Sequence, residues 1–288
     1  MTDNTRAAFL ALISTGLITG VAALSKAAVV DYHVLQILFF RQCIVFLSTL
    51  PQIAKDFPNS LKTENPKLHC IRLAGAFVGL TFSIWAVGLL PLTTATTLAF
   101  SQTFFMAVLA FVFLKEAVGW HRIGAIIVGF LGVLIVVRPG GEGFANLGTL
   151  VAIAGAFGGA VAFISVRSLS QTESTATLIT YQTIIIGILA AIPMFWLWKT
   201  PDYTGWVLLI SVGLLAVPAQ WIGVAAVRLG ESSLLANVQY AKLIYAGLLG
   251  YFIFNEVPDW YTVIGASVII ASAFYIFQRE AKNAAKDR

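Results

Sequence analysis

Charge is what this sequence has least of. Among its 288 residues 18 are Lys or Arg and 13 are Asp or Glu, or 11% of the chain. A water-soluble domain carries about 25% charged residues because its surface has to be solvated. So few charges cannot cover a water-facing surface, which excludes a soluble enzyme, a nucleic-acid-binding module and a disordered chain. Cysteine is scarce too. Cys43 and Cys70 lie in or beside apolar stretches without metal-ligand spacing and read as packing residues. No His, Cys and carboxylate cluster is spaced for a metal, so none is expected. No Gly-rich phosphate loop ending in Lys-Ser or Lys-Thr occurs, so neither an ATP-driven step nor an ATPase subunit is implied. No nucleophile has a base at plausible spacing. The reading is not an enzyme, without a cofactor.

What the chain has is apolar length. Hydrophobic residues make up 59% of it, and its mean hydropathy is +0.88. A helix crossing a bilayer needs about 20 mostly apolar residues. Ten such windows follow one another, at roughly 7–28, 34–54, 70–90, 94–114, 120–137, 147–168, 175–198, 205–227, 233–254 and 260–278; we number them spans 1 to 10. Polar or breaking residues mark the turns, as in Lys55-Asp56-Phe57-Pro58-Asn59, Pro139-Gly140-Gly141, Lys199-Thr200-Pro201-Asp202 and Pro258-Asp259. The runs are too long and too uniformly apolar for the alternating strands of a β-barrel. The first run is also longer than the apolar part of a signal peptide and lacks a small-residue cleavage site, so it is expected to be retained.

Basic residues set the orientation. With the N-terminus in the cytoplasm, the inner ends collect Arg6, Lys55, Lys62, Lys67, Arg72, Lys115, Arg122, Arg167, Arg228, Arg279, Lys282, Lys286 and Arg288. The outer ends hold Lys26, Arg138 and Lys199, while Arg41 and Lys242 fall within spans. Both termini are therefore expected in the cytoplasm, with the chain in a bacterial inner membrane among lipids. The net charge of +5 reflects this bias rather than a nucleic-acid partner.

Shifted by about 140 residues, the chain registers on itself. Glu116 falls on Glu256, Trp120 on Trp260 and Leu109 on Leu249; with one more residue inserted, Gly124-Ala125 falls on Gly265-Ala266. Each half, 1–140 and 141–288, holds five spans. An odd number makes the second copy enter the membrane from the opposite side. Inverted repeats of this kind belong to secondary transporters, whose substrate site lies near the midplane between the halves.

Three local patterns carry a family likeness: Phe-Leu-Lys-Glu-Ala (113–117) before span 5, Ile-Phe-Asn-Glu-Val (253–257) before span 10, and Val-Leu-Gln-Ile-Leu-Phe-Phe-Arg (34–41) in span 2. With ten spans in two halves, the chain resembles the EamA branch of the drug/metabolite transporter (DMT) superfamily, and within it the YddG-type bacterial exporters of aromatic amino acids. That resemblance implies an all-α integral membrane protein of ten transmembrane helices in two inverted five-helix repeats. It also implies a central cavity lined mainly by spans 1, 3, 4, 6, 8 and 9, with spans 5 and 10 peripheral.

Lys242 is the most informative residue, because a lysine at the centre of a span costs roughly 2.5–3.5 kcal/mol to insert. Its repeat mate is Gln102, and Gln239 and Tyr245 are each three residues away from it. We expect Lys242 to anchor a substrate carboxylate with Gln102 facing it; the alternative is a lysine satisfied by neighbouring carbonyls or hydroxyls. Thr81, Ser101 and Asn237 supply further polar groups in the cavity spans. Trp85 and Trp221 lack the interfacial position that explains Trp120, Trp198, Trp206 and Trp260, and are candidates for an apolar wall. Gly16-x-x-x-Gly20 and Gly155-x-x-x-Gly159 put close-packing notches in equivalent helices of the two halves. Pro218 should bend span 8. Both features bear on packing or on gating. Arg41 reads first as bracing helices through backbone carbonyls or reaching the outer headgroups, since span 2 is not expected to line the cavity, with direct substrate contact as the alternative; the sequence does not decide its role. The 13 acidic residues all fall at span ends, as do His33, His69 and His121, so no buried proton relay is visible.

The reading is a secondary exporter of small amphipathic metabolites bearing a carboxylate, with aromatic amino acids as the leading cargo. A multidrug exporter of hydrophobic cations and a non-transporting membrane scaffold or receptor are the alternatives.

Overall fold

In lipid every backbone N–H and C=O has to be bonded within its own segment or to protein, so long apolar runs become helices. The computed structural model describes residues 3–55, 57, 63, 65–114, 120–137, 146–169, 172–229, 238–239 and 241–286, and no strand occurs among them. Its helices are α1 (Asp3–Val29), α2 (Val34–Lys55), α3 (Pro66–Leu89), α4 (Leu92–Ala99), α5 (Ser101–Leu114), α6 (Trp120–Val137), α7 (Leu147–Leu169), α8 (Thr175–Ala191), α9 (Met194–Leu197), α10 (Tyr203–Leu229), α11 (Ala241–Phe254) and α12 (Trp260–Lys286). Five segments, in α1, α2, α3, α7 and α10, are long and apolar enough to cross a membrane, and shorter apolar segments lie in α6, α8, α11 and α12. Large apolar side chains face outward, among them Phe195, 87% exposed, and Phe252, 74% exposed. Water would penalise such a surface and lipid does not. We call the end of the bundle where α1 starts the near end, and the other the far end.

Two spans expected to be continuous are broken. Span 4 divides at Phe100 into α4 and α5. The threonines of α4 compete for its backbone: Thr96 and Thr97 donate to the carbonyls of Leu92 and Thr93 at 2.7 and 2.8 Å, the back-bonding that loosens helices. The Phe100 N–H turns to the Thr97 carbonyl at 3.1 Å, a tighter turn than an α-helix makes. Span 7 divides between α8 and α9 at Ile192-Pro193, where proline cannot continue the ladder. At the other extreme, α12 runs eight residues past the expected end of span 10.

Packing repeats as the sequence does. The helix of span 3 (α3) lies along that of span 6 (α7), and span 1 (α1) lies along span 8 (α10). Exchanging each span with its repeat mate turns one pair into the other. Spans 2 and 7 pair (α2 with α8), as do spans 5 and 10 (α6 with α12), each pair being its own mate. Small residues permit these approaches. A Cβ on Gly75 would meet the Gly158 carbonyl at 2.8 Å, and one on Gly265 would meet the Gly132 carbonyl at 2.6 Å. One core cluster joins α1, α2, α3, α8 and α10, and a second joins α3, α4, α6, α7, α11 and α12.

Candidate functional site

Lys242 is the second residue of α11, and Val238 and Gln239 shortly before it are also helical. Its helix buries Leu243, Ala246 and Gly250. Tyr245 turns to the adjacent side, where its ring rests over Gly16 of α1, 3.4 Å from where a Cβ would be. Lys242 lies between these two directions at 100° per residue, so its stem leaves α11 toward the bundle interior. It is half-buried, and no hydrogen-bond or ion-pair partner meets its ammonium among the described residues. Gln239, on the same face, has a buried side-chain oxygen without a partner. Asn237 lies outside the described residues.

Gln102 starts α5 just past the break in span 4. Its amide rests on Gly159 of α7, where an added Cβ would meet Oε1 at 2.9 Å, and its Nε2 is 4.0 Å from Met106 Sδ. The Ser101 hydroxyl donates to the Leu98 carbonyl and so occupies itself with the helix break. The glycine notches therefore each hold a side chain: Gly16 holds Tyr245, Gly20 holds Leu215 of α10, Gly155 holds Phe82 of α3 and Gly159 holds Gln102. Span 9 thus packs on span 1 and span 4 on span 6, contacts that the repeat exchanges. Pro218 lies inside the unbroken α10. Beside it Ser14 of α1 donates to the Ala219 carbonyl at 2.8 Å, seated where a Cβ on Gly223 would touch its oxygen.

Thr81 is buried, and its hydroxyl has no partner. Trp85, one turn further along α3, packs against both core clusters and meets Phe82 edge-on at 5.9 Å. Trp221 donates from Nε1 to Ser48 Oγ at 3.1 Å, tying α10 to α2. The structure thus places Lys242 and Tyr245 on α11 with Gln239 just before it, and sets Gln102, Thr81 with Trp85, and Trp221 on other helices of the bundle.

Other charged groups are tied down in ways their sequence positions do not reveal. Lys26, near the far end of α1, pairs with Glu256 at 2.8 Å and donates to the carbonyls of Val87 and Leu90 at 2.9 and 2.6 Å. Its ammonium also lies over the Phe254 ring at 5.6 Å. The second Glu256 oxygen accepts the Leu92 N–H at 2.7 Å. Asn255, at φ 52, makes the left-handed turn that presents this carboxylate. Arg72 is buried at the near end and donates to the Leu178 carbonyl and to Gln182 Oε1 at 3.0 and 3.1 Å. His69 and Glu173 meet at 2.5 Å with side chains only 3% exposed, and Thr63 donates to the same carboxylate. His69 and Glu173 lie at span ends in the sequence, and the fold encloses them. At the far end the Gly205 N–H and then the Tyr32 hydroxyl donate to Asp202, holding its carboxyl below the ordinary carboxylate range.

Comparison with known proteins places the chain. A profile of the EamA-like transporter family matches it twice, over residues 5–138 and 146–278. It is similar to an S-adenosylmethionine uptake transporter of Rickettsia bellii, 30% identical over 91% of this chain and 90% of that one. It is also similar to a riboflavin transporter of Vibrio cholerae, 30% identical over 80% and 77% of the two chains. A third relative is the pseudopaline exporter CntI of Pseudomonas aeruginosa, 24% identical over 91% and 93%. A solved crystal structure with 15% identity superposes over 95% of this chain and 96% of its own at a TM-score of 0.67, which shows the shared fold.

Proposed function

The chain belongs to the EamA-like transporter family, and we propose that it is a secondary transporter of ring-bearing amphipathic metabolites that carry a carboxylate, with an aromatic amino acid as the first candidate. The observation that carries this reading is Lys242, a cation inside the bundle whose ammonium no described residue engages. A carboxylate meeting a partly desolvated ammonium makes a charge-assisted hydrogen bond, about twice as strong as a neutral one. Site and cargo then share the cost of a charge in the membrane. Gln239, Tyr245 and Gln102 offer hydrogen bonds around it, with Thr81, Ser101 and Asn237 completing the polar set. Trp85 and Trp221 offer flat apolar walls for a ring.

Movement follows the inverted repeat. Two similar halves that exchange roles expose one midplane site to each side in turn, with the glycine faces of α1 and α7 and the proline in α10 as the surfaces that tilt. Without a pump the direction follows the gradient, which is outward for a metabolite made in the cell. The basic-residue bias supports a bacterial inner membrane with both termini cytoplasmic.

The relatives' printed cargoes are S-adenosylmethionine, riboflavin and pseudopaline. The first two are ring-bearing, and S-adenosylmethionine shares the α-amino carboxylate of an aromatic amino acid. A hydrophobic-cation exporter would set its cargo against Lys242 without a compensating acid, and a scaffold would leave that lysine idle. Counterflow into proteoliposomes tests the reading with phenylalanine, tryptophan, S-adenosylmethionine, riboflavin and a hydrophobic cation offered in parallel. Exchange of the ring-bearing carboxylates is expected. Exchange of the cation alone would overturn it.

A further inference from the structure

Arg41 is a second cation inside the bundle, and it faces the centre. Its neighbours one turn away on either side, Ile37 and Val45, are 0% and 1% exposed. They belong to the core shared with Ala76 and Ile84 of α3 and with Val212 and Ala216 of α10. Ile44 packs on Gly213 of α10, and Ser48, two turns along the same face, receives the Trp221 hydrogen bond. Residues at i, i+4 and i+7 share a helix face, so Arg41 lies on the side of α2 that meets α10. Span 2 was not expected to line the cavity, and the face of α2 that carries Arg41 packs on α10.

Among the described residues nothing balances this charge. Arg41 Nε is buried without a partner, and the guanidinium has no hydrogen-bond or ion-pair partner among the described residues. No span interior contains an acid. Guanidinium stays charged at any physiological pH and offers five donors in a planar fork. At 1.5 Å per residue, Arg41 lies about 10 Å from the far end of α2, and Lys242 about 18 Å from the far end of α11. The two cations come from opposite repeats and straddle the midplane, separated by roughly 8 Å along the bundle. Thr81, whose hydroxyl is unpaired, lies at the depth of Arg41, about 12 Å from the far end of α3.

We propose that Arg41 is a second cargo anchor, and that the preferred cargo is a ring-bearing metabolite with two acidic groups, one for Lys242 and one for Arg41. This rests on the reading of Lys242 as a carboxylate anchor and narrows it. A zwitterion leaves one cation unmatched and sets its own ammonium against it; a second acid removes both penalties.

Matched pairs that differ only by a second acidic group test the proposal: tyrosine against O-phosphotyrosine, and phenylalanine against 4-carboxyphenylalanine. Their binding to the purified protein in lipid nanodiscs is measured by calorimetry. Wild-type protein should bind the doubly acidic member at least tenfold more tightly in one pair or both. Arg41→Gln should cut that preference to threefold or less, with binding of the parent compound little changed. Arg41→Lys, which keeps the charge and loses the fork, should retain part of it, and serves if Arg41→Gln does not fold. The proposal is overturned if wild type shows no preference in either pair, whether both members bind alike or neither binds, or if a folded Arg41→Gln keeps the full preference. Lys242→Met separates the two claims. If it binds both members as wild type does, the carboxylate anchor is wrong; if only Arg41→Gln is silent, that anchor stands and the second one falls.

Discussion

Lys26 and Lys242 are the same residue type held inside the same bundle, and they live opposite lives. At the far end Lys26 has a carboxylate, two carbonyls and an aromatic face around its ammonium. In the interior Lys242 has none of these among the described residues. The arginines divide the same way, with Arg72 bonded to Leu178 and Gln182 and Arg41 left open. A charge kept from water has to be paired or else carry a use. The paired cations fasten helices to one another, and the unpaired ones are available to something that arrives.

The largest effect on activity should come from Lys242→Met, which lowers transport of carboxylated ring-bearing cargo at least tenfold, equivalent to about 1.4 kcal/mol. Proteoliposome counterflow measures it. Lys26→Met should act on stability instead. Removing one partner of a buried ion pair costs about 3–5 kcal/mol, and with the two side chains 14% and 19% exposed we expect about 2 kcal/mol after screening. Thermal unfolding in detergent reads the loss, and adding Glu256→Gln should restore part of it, because the stranded carboxylate is then gone.

Gln102→Ala should reduce transport about threefold, since a neutral hydrogen bond is worth only about 0.5–1.5 kcal/mol. A loss as deep as that of Lys242→Met would mean that the amide on Gly159 holds the bundle rather than the cargo. The smallest effect is expected at Asp202. Its depressed carboxyl adds stability above the ordinary carboxylate value of 3.8 and loses it as pH falls through the lower folded value. Asp202→Asn should therefore melt slightly below wild type at neutral pH, with the difference vanishing in acid.

Much of the fold was legible because lipid makes hydropathy nearly decisive. Span 5 runs over 120–137 as expected. The breaks at Phe100 and Pro193 were less visible. A proline marks the second, whereas the first depends on threonines bonding back into their own helix, which hydropathy does not register. The site was legible in its cations and obscure in its partners. Lys242 stands out because its cost is local. Whether Lys26 is paired depends on a turn 230 residues away in sequence, and the inward aim of Arg41 depends on which side of α2 meets α10. Pairing is a property of the packed bundle, so no local pattern announces it.

The contrast between paired and unpaired lysines is tested most directly by cargo-induced thermal stabilisation of Lys26→Met and Lys242→Met, measured side by side with a carboxylated ring-bearing cargo that wild type exchanges. Cargo bound only by the folded state raises the unfolding temperature by mass action. Lys26→Met should unfold at a lower temperature than wild type and keep the full rise on adding cargo. Lys242→Met should unfold at or above the wild-type temperature, having lost an unpaired buried charge, and show little or no rise. A Lys242→Met protein that keeps the wild-type rise would contradict the assignment of this cation to the cargo.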